Sequence, residues 1–285
     1  INAEYGYSRF ADKTTGKLGF NQPIPMYTTL SFVKKSLYWI YIYSLYPALI
    51  AVRLPLIYVL AWLWVILPVP MKDGVFSRVL LFLYGVLPSK PLQASTLSQK
   101  KAAQFSLKKQ TIICGQLTSP VDVLLYVKIF KPSVVLFPSS KFLSPARAFL
   151  KFLSFEEKFV EEEVGELKLP NKRVLVFPEQ FPTNQQLIMK NYIPTGQFQK
   201  RPIICAASKK AWKFIPKQHP RFTTETNFDD VGSLFIKQQV FVSVLKESEE
   251  LEAGKVEKAL ASCLGIEVGT QGLAERQEYM KVISE

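Results

Sequence analysis

Histidine is almost absent: His219 is the only one in 285 residues. That removes most imidazole-based metal chemistry and most triads built on a histidine base. The three cysteines, Cys114, Cys205 and Cys263, are too few and too scattered for a disulfide scaffold or a zinc site. No Gly-X-Y period, heptad array or solenoid repeat runs through the chain. Acidic residues are scarce at one end, with 3 Asp+Glu against 13 Lys+Arg in residues 1–110. The remainder is close to balanced, at 20 against 23. What is abundant is apolar: 48% hydrophobic and 13% aromatic residues exclude a disordered or low-complexity chain. The length suits one or two domains with a sizeable core.

The basic excess lies beside the longest apolar run, which favours an anionic membrane surface as partner. Lys and Arg alone would also suit nucleic acid. No nucleic-acid motif accompanies them, and none is expected as a partner.

Between Lys35 and Lys72 lie 36 residues with a single charge, Arg53. One straight helix of that length would measure about 54 Å at about 1.5 Å per residue. The hydrocarbon core is about 30 Å thick, so one span overshoots and two full spans fall short. Pro47 and Pro55 bracket Arg53, and each disfavours continuous helix. The expectation is two helices, 36–52 and 55–69, with a bend between them. They would form a re-entrant or monotopic membrane hairpin, or one span plus an interfacial helix. Dense aromatics, Trp39, Trp62 and Trp64 among them, suit the headgroup level, as does Arg53. The competing expectation is a buried hairpin in a soluble core. A cleaved signal peptide is not expected, since the run starts late, is long and lacks a small-residue cleavage site. A second apolar stretch, 75–87, carries only Arg78 and is too short to span. It reads as an interfacial or core helix. Lys34, Lys35, Lys72, Arg78 and Lys90 flank these segments, where lipid phosphates would sit. With both flanks on one side, the positive charges place the bulk of the chain in the cytosol. Three regions follow: an N-terminal cytosolic segment, 1–35; membrane-associated helices, 36–88; and a soluble domain, 89–285.

After a polar linker, 89–101, the pattern alternates. Strands are expected at 110–115, 133–137, 172–177 and 202–207, with one or two more in 233–245. Helices are expected at 119–130, 145–159, 185–190, 254–263 and 270–282. The alternation implies an α/β fold with a mostly parallel sheet flanked by helices. Ligand chemistry then belongs at the carboxyl ends of the strands. Two segments lie there, 115–122 and 178–184.

Strand, then Leu117-Thr-Ser-Pro-Val-Asp122, then helix resembles the His-x4-Asp motif of PlsC-type glycerolipid acyltransferases. Strand, then Phe177-Pro178-Glu179, resembles that family's Phe-Pro-Glu-Gly block. Pro202-Ile203-Ile204 resembles its proline-led last strand. The fungal lysophosphatidic acid:oleoyl-CoA acyltransferase subgroup is similar also at Tyr7-Ser-Arg-Phe-Ala-Asp12, through Gly16, and at Thr183-Asn184 and Gly272-Leu-Ala-Glu-Arg-Gln-Glu-Tyr279.

The resemblance implies an acyltransferase-like domain with a membrane-embedded N-terminal helical hairpin, at the endoplasmic reticulum or lipid droplets. It implies acyl-CoA as co-substrate, a lysophospholipid acceptor, and no metal or other cofactor. In the family the motif His is the general base and the motif Asp, here Asp122, orients it. Thr118, Ser119, Phe177, Pro178, Glu179 and Asn184 then fall in the substrate-binding blocks.

Two positions depart from that pattern. Leu117 stands at the His position and has no proton-accepting group. General-base catalysis is typically worth about 10²–10⁴-fold. Gln180 replaces the Gly after Glu179, where backbone approaches the ligand. His219 lies in a Pro-rich loop and reads as an exposed loop side chain. Asp122 has a structural alternative as a helix cap, and Glu179 as an ion-pair partner. Cys114 ends an apolar strand and reads as a buried thiol. The acidic run 156–166 reads as a solvated face, not a metal site. The expectation is a catalytically degenerate acyltransferase-fold protein. It would bind lipid or serve as scaffold or subunit of a membrane lipid assembly beside a membrane-protein partner. The alternative is an active acyl-CoA-dependent lysophosphatidic acid acyltransferase making phosphatidic acid.

Overall fold

The structure, a computed structural model, describes residues 39–67, 72–94, 105–137, 141–153, 170–178, 201–209, 236–245 and 254–269, with residues 32, 36, 187, 188 and 198. The apolar run is one helix, not two. A π-helical turn, Tyr41–Leu45, leads straight into α1, Tyr46–Ile66, which passes through Pro55. The helix is not interrupted at Arg53; it ends at Ile66, with Leu67 in extended backbone. Neither proline ends the helix, because each sits where its surroundings compensate it. Ahead of Pro47 the turn widens, and the Tyr46 N–H donates to the Tyr41 carbonyl five residues back. That widening accommodates a ring that would otherwise strike the preceding turn. Pro55 lies inside α1 on its exposed side and forfeits one helix bond. Burial of Ile57, Ala61 and Trp64 on the other side of α1 outweighs that loss. The stretch Tyr43–Ile66 is the one helix among the described residues long and apolar enough to cross a membrane.

The second apolar stretch forms α2, Lys72–Leu83, and then turns at Gly85, φ 67°, into β1, Val86–Pro88. The polar linker contributes β2, Leu92–Gln93. Next come β3, Ile112–Gly115; α3, Pro120–Phe130; β4, Val134–Phe137; and β5, Lys141–Leu143. They are followed by α4, Pro145–Leu153; β6, Val174–Val176; β7, Leu187–Ile188; and β8, Ile203–Lys209. The chain continues with β9, Ile236–Leu245; α5, Lys255–Leu264; and β10, Glu267–Val268. Among the described residues eight strands form one sheet, in the order β1-β9-β8-β3-β6-β4-β5, with β2 also on β9. Neighbours are parallel except β8 with β9 and β4 with β5. The fold is therefore mixed α/β with a mostly parallel sheet. A short helix expected over 185–190 is instead, at Leu187–Ile188, a strand paired with Glu267–Val268. Local spacing suggested helix; a partner far along the chain decided otherwise. The helix expected over 270–282 and the acidic run 156–166 lie outside the described residues.

Both faces of the sheet are covered, which is why its central strands are apolar throughout. Along β3, β6 and β8 alternate residues point oppositely. Ile113, Leu175, Ile204 and Ala206 share one core with residues of α1, α2, α3 and α4. Ile112, Cys114, Val174, Val176, Ile203 and Cys205 share a second core with α5, Ile188 and Phe198. The apolar N-terminal helices thus build one side of the sheet's own core. Trp64 illustrates this. It is fully buried, stacks on Phe76 at 6.3 Å, meets Phe149 at 6.0 Å, and donates its Nε1–H to Asp73 Oδ1 at 2.8 Å. Trp64 is a core residue, which corrects its expected place among the headgroups.

Candidate functional site

The two segments at the strand ends start from adjacent parallel strands, with Cys114 of β3 in register with Val176 of β6. Leu117–Asp122 follows the first and Phe177–Pro178 the second. Asp122 is the third residue of α3 and fully buried. Its Oδ2 accepts from the Thr118 N–H at 2.7 Å, the Thr118 hydroxyl at 2.6 Å and the Ser119 N–H at 3.1 Å. Its Oδ1 accepts from the Ser208 hydroxyl and from Gln238 Nε2–H, the latter at 3.2 Å. Ser119, with extended backbone, starts the helix, and the carboxylate satisfies its N–H reciprocally. Five donors from four residues converge on one side chain, tying α3 to the ends of β8 and β9.

Leu117 is fully buried in the core beneath α1 to α4. Phe177 is buried too, edge-on to Phe152 at 5.8 Å and tilted against Tyr126 at 6.1 Å. Tyr126 lies one helical turn after Asp122, and its hydroxyl donates to the carbonyls of Gln116 at 3.0 Å and Ala206 at 3.2 Å. Its ring lies against Gly115, where a Cβ would come within 2.7 Å of Tyr126 Cε2 and 3.2 Å of Phe177 Cε1. That close approach is the physical reason for glycine at the end of β3. Ser119 and Pro178 are buried, and Thr118 is half-buried. Glu179, Gln180, Thr183, Asn184 and His219 lie outside the described residues, as do 7–16 and 272–279.

The structure therefore brings Asp122, Thr118 and Ser119 together and sets Leu117 and Phe177 in packed apolar surroundings. Ser208 and Gln238 were not singled out in the sequence. They lie 86 and 116 residues from Asp122, and only the order β3-β8-β9 unites them. Nothing local marks them: Ser208 adjoins Lys209 at the end of its strand and Gln238 lies between Lys237 and Gln239, so only burial in the folded chain shows that each needs a partner. Chemically, the carboxylate polarises two hydroxyls, but both its oxygens are already engaged by its own chain, and Leu117 supplies no lone pair.

Of the residues expected at a membrane, Trp39 and Trp62 are exposed, at 40% and 54%, and Trp39 stacks on Tyr43 at 5.5 Å. Arg53 is half-buried. The outward side of α1 also shows Val52, Leu56, Val59, Leu63 and Ile66. On the opposite side of the sheet the three thiols gather. Cys114 pairs in register with Cys205, and Cys263 Sγ–H lies 3.8 Å from the Cys205 carbonyl. Hydrogen bonding with Cys114 and then burial push the Cys205 thiol pKa well up; burial foremost raises that of Cys263. High thiol pKa values make these sulfurs poor nucleophiles. Among the described residues no group of three or more His, Cys, Asp or Glu is placed to hold a metal ion.

Comparison with models of protein families, with curated proteins and with solved structures finds no match for this chain.

Proposed function

We propose that this chain is a membrane-associated protein of the glycerolipid acyltransferase fold that no longer transfers acyl groups efficiently and works by holding lipid or by supporting a membrane lipid assembly. The observation that carries the reading is the chemistry at residues 117–122. Where the resemblance calls for a general base, Leu117 is buried among apolar side chains. The carboxylate that would orient such a base is engaged by five donors of its own chain. The membrane part is supported by the outward apolar side of α1. Tyr58 and Trp64 fix α1 lengthwise on α4, through the Leu153 carbonyl at 3.2 Å and the Phe149 ring. A helix held along the domain favours insertion into one leaflet over a crossing. The cytosolic side of the endoplasmic reticulum or of a lipid droplet suits such a one-sided anchor, and a membrane protein suits it as a neighbour.

Two assays test this. Purified full-length protein is incubated with labelled oleoyl-CoA and lysophosphatidic acid, beside Asp122→Asn and Leu117→His. No turnover above background is expected from the unaltered chain. Turnover that Asp122→Asn abolishes while the protein stays folded would establish the active lysophosphatidic acid acyltransferase instead. For the membrane part, tryptophan fluorescence is quenched with brominated lipids. Trp62→Phe should remove much of the quenchable signal and Trp64→Phe little. Equal effects would refute the one-sided burial of α1.

A further inference from the structure

Strands β8, β3, β6 and β4 lie side by side and run the same way, so their amino ends meet along one end of the sheet. Backbone bonds join the segments that enter them. The Ile112 N–H donates to the Pro202 carbonyl at 2.9 Å, the Val174 N–H to the Thr111 carbonyl at 3.2 Å, and the Ser133 N–H to the Arg173 carbonyl at 2.9 Å. Two guanidiniums tie the same end: Arg173 Nη1 donates to the Phe130 carbonyl at 3.1 Å and Arg201 Nη1 to the Pro170 carbonyl at 2.9 Å. Every charged residue in the entering segments 105–111, 131–133, 170–173 and 201–202 is basic. Lys108, Lys109, Lys131 and Lys172 are exposed there, and Arg173 and Arg201 are half-buried. With neighbouring strands about 4.8 Å apart, the four entries form a row about 14 Å long. Like charges set in one row repel, and an opposed row of anions relieves that repulsion.

The geometry points to this row as a docking surface for an extended acidic segment of a partner protein. Its length decides against a single phosphate group, which would meet only part of it. Side chains on one face of an extended peptide recur about every 6.6 Å, so three carboxylates at alternate positions span the row. No aromatic side chain is exposed in the entering segments, so a nucleic acid would find cations for its phosphates but nothing on which to stack its bases. A bilayer covering the outward side of α1 lies along one face of the sheet, whereas the row lies at the strand ends. That last choice rests on the membrane side proposed above. The row itself does not, and it stands at the opposite ends of the strands from residues 117–122.

The test is fluorescence anisotropy of a labelled deca-glutamate peptide added to the full chain in neutral detergent, without lipid or acyl-CoA. The unaltered chain should bind it, more weakly as salt rises. Lys109→Gln, Lys131→Gln and Lys172→Gln should each weaken binding about two- to fivefold, as loss of an exposed ion pair does, and the three together about tenfold or more. The same three positions changed to arginine should bind as the unaltered chain does, which separates lost charge from lost folding. Lys209→Gln, exposed at the far end of β8, should change nothing. An equal effect of Lys209→Gln would show diffuse charge and overturn the surface. Tighter binding of decathymidylate than of deca-glutamate, or loss of binding to phosphatidylserine vesicles in the triple glutamine variant, would overturn the choice of a protein partner. No peptide binding by the unaltered chain would overturn the proposal and leave the membrane reading standing. If binding then appears once the six glutamates of 156–166 are changed to glutamine, the chain's own acidic run is the occupant instead. Failure of the unaltered chain to float with vesicles would strike the membrane reading alone.

Discussion

Removing the Asp122 carboxylate is the perturbation whose result the structure fixes most tightly. Asp122→Ala takes away the acceptor for five donors at once. The hydroxyls of Thr118 and Ser208 can rotate to new acceptors, so little is assigned to them. The N–H groups of Thr118 and Ser119 and the amide of Gln238 are fixed in place, and each buried donor left unmade costs about 1–3 kcal/mol. Thr118 is only half-buried, so water recovers part of this. The expected loss is about 3–5 kcal/mol, in line with removing one member of a buried charged network. For a domain of this size that is a fall in Tm of roughly 6–20 °C. Ser208→Ala leaves a carboxylate with four donors and should cost about 1 kcal/mol. In the Asp122→Ala background that cost should vanish, because the two residues act through one bond. The assay is unfolding of the full chain in mild detergent, followed by tryptophan fluorescence. A loss below about 1 kcal/mol for Asp122→Ala, or strictly additive losses in the double variant, would refute the view of Asp122 as the tie between α3, β8 and β9.

Gly115→Ala should lower stability by about 1–3 kcal/mol, as overpacking does. The added methyl meets Tyr126 at 2.7 Å, and that ring is held by two hydrogen bonds. Tyr126→Phe in the same background should recover part of the loss, which thermal unfolding reads directly. The thiols make stability depend on pH in the alkaline range. Cys205 and Cys263 have pKa values raised above the ordinary 9.0, so above about pH 9 the unfolded chain has released protons that the folded chain keeps. Stability should therefore be constant below that pH and fall above it. The double variant Cys205→Ala, Cys263→Ala should show a shallower fall between pH 9 and 10.5; an unchanged slope would argue against buried, protonated thiols.

The sequence made the sheet legible because its central strands are apolar on both faces and β-rich: IICG, VVLF, VLV and IICAAS all became strands. Helix α3 was legible from Ser119, Pro120 and Asp122, which mark a helix start by their own backbone chemistry. The edges were not. β1, β2 and β7 are two or three residues long and exist because of partners far along the chain, which no local pattern reveals. The continuity of the apolar run was not legible, because what a proline does to a helix depends on surroundings that the sequence does not show. A widened turn before Pro47 and a buried flank beyond Pro55 carry the helix through. At the candidate site, the motif residues Leu117 and Asp122 were visible. Ser208 and Gln238 were not, because their meaning depends on strand order.

The pairing of β1 with β9 also sets an order of events during synthesis. Val86 finds its partner Ile236 only after 150 further residues have been made. At about 5–20 residues per second, roughly 8–30 s separate the emergence of α1 and α2 from the strand that closes the sheet behind them. Through that interval the sheet beneath α1 lacks its longest strand, and the inner side of α1, Ile57, Ala61 and Trp64 included, is as apolar as the outer. A nascent chain beside a bilayer has time to settle both sides into lipid and then exchange one of them for protein. A chain made in open water carries more of that surface to solvent until the sheet is complete, so where synthesis takes place bears on the yield of folded protein as directly as any contact in the finished fold.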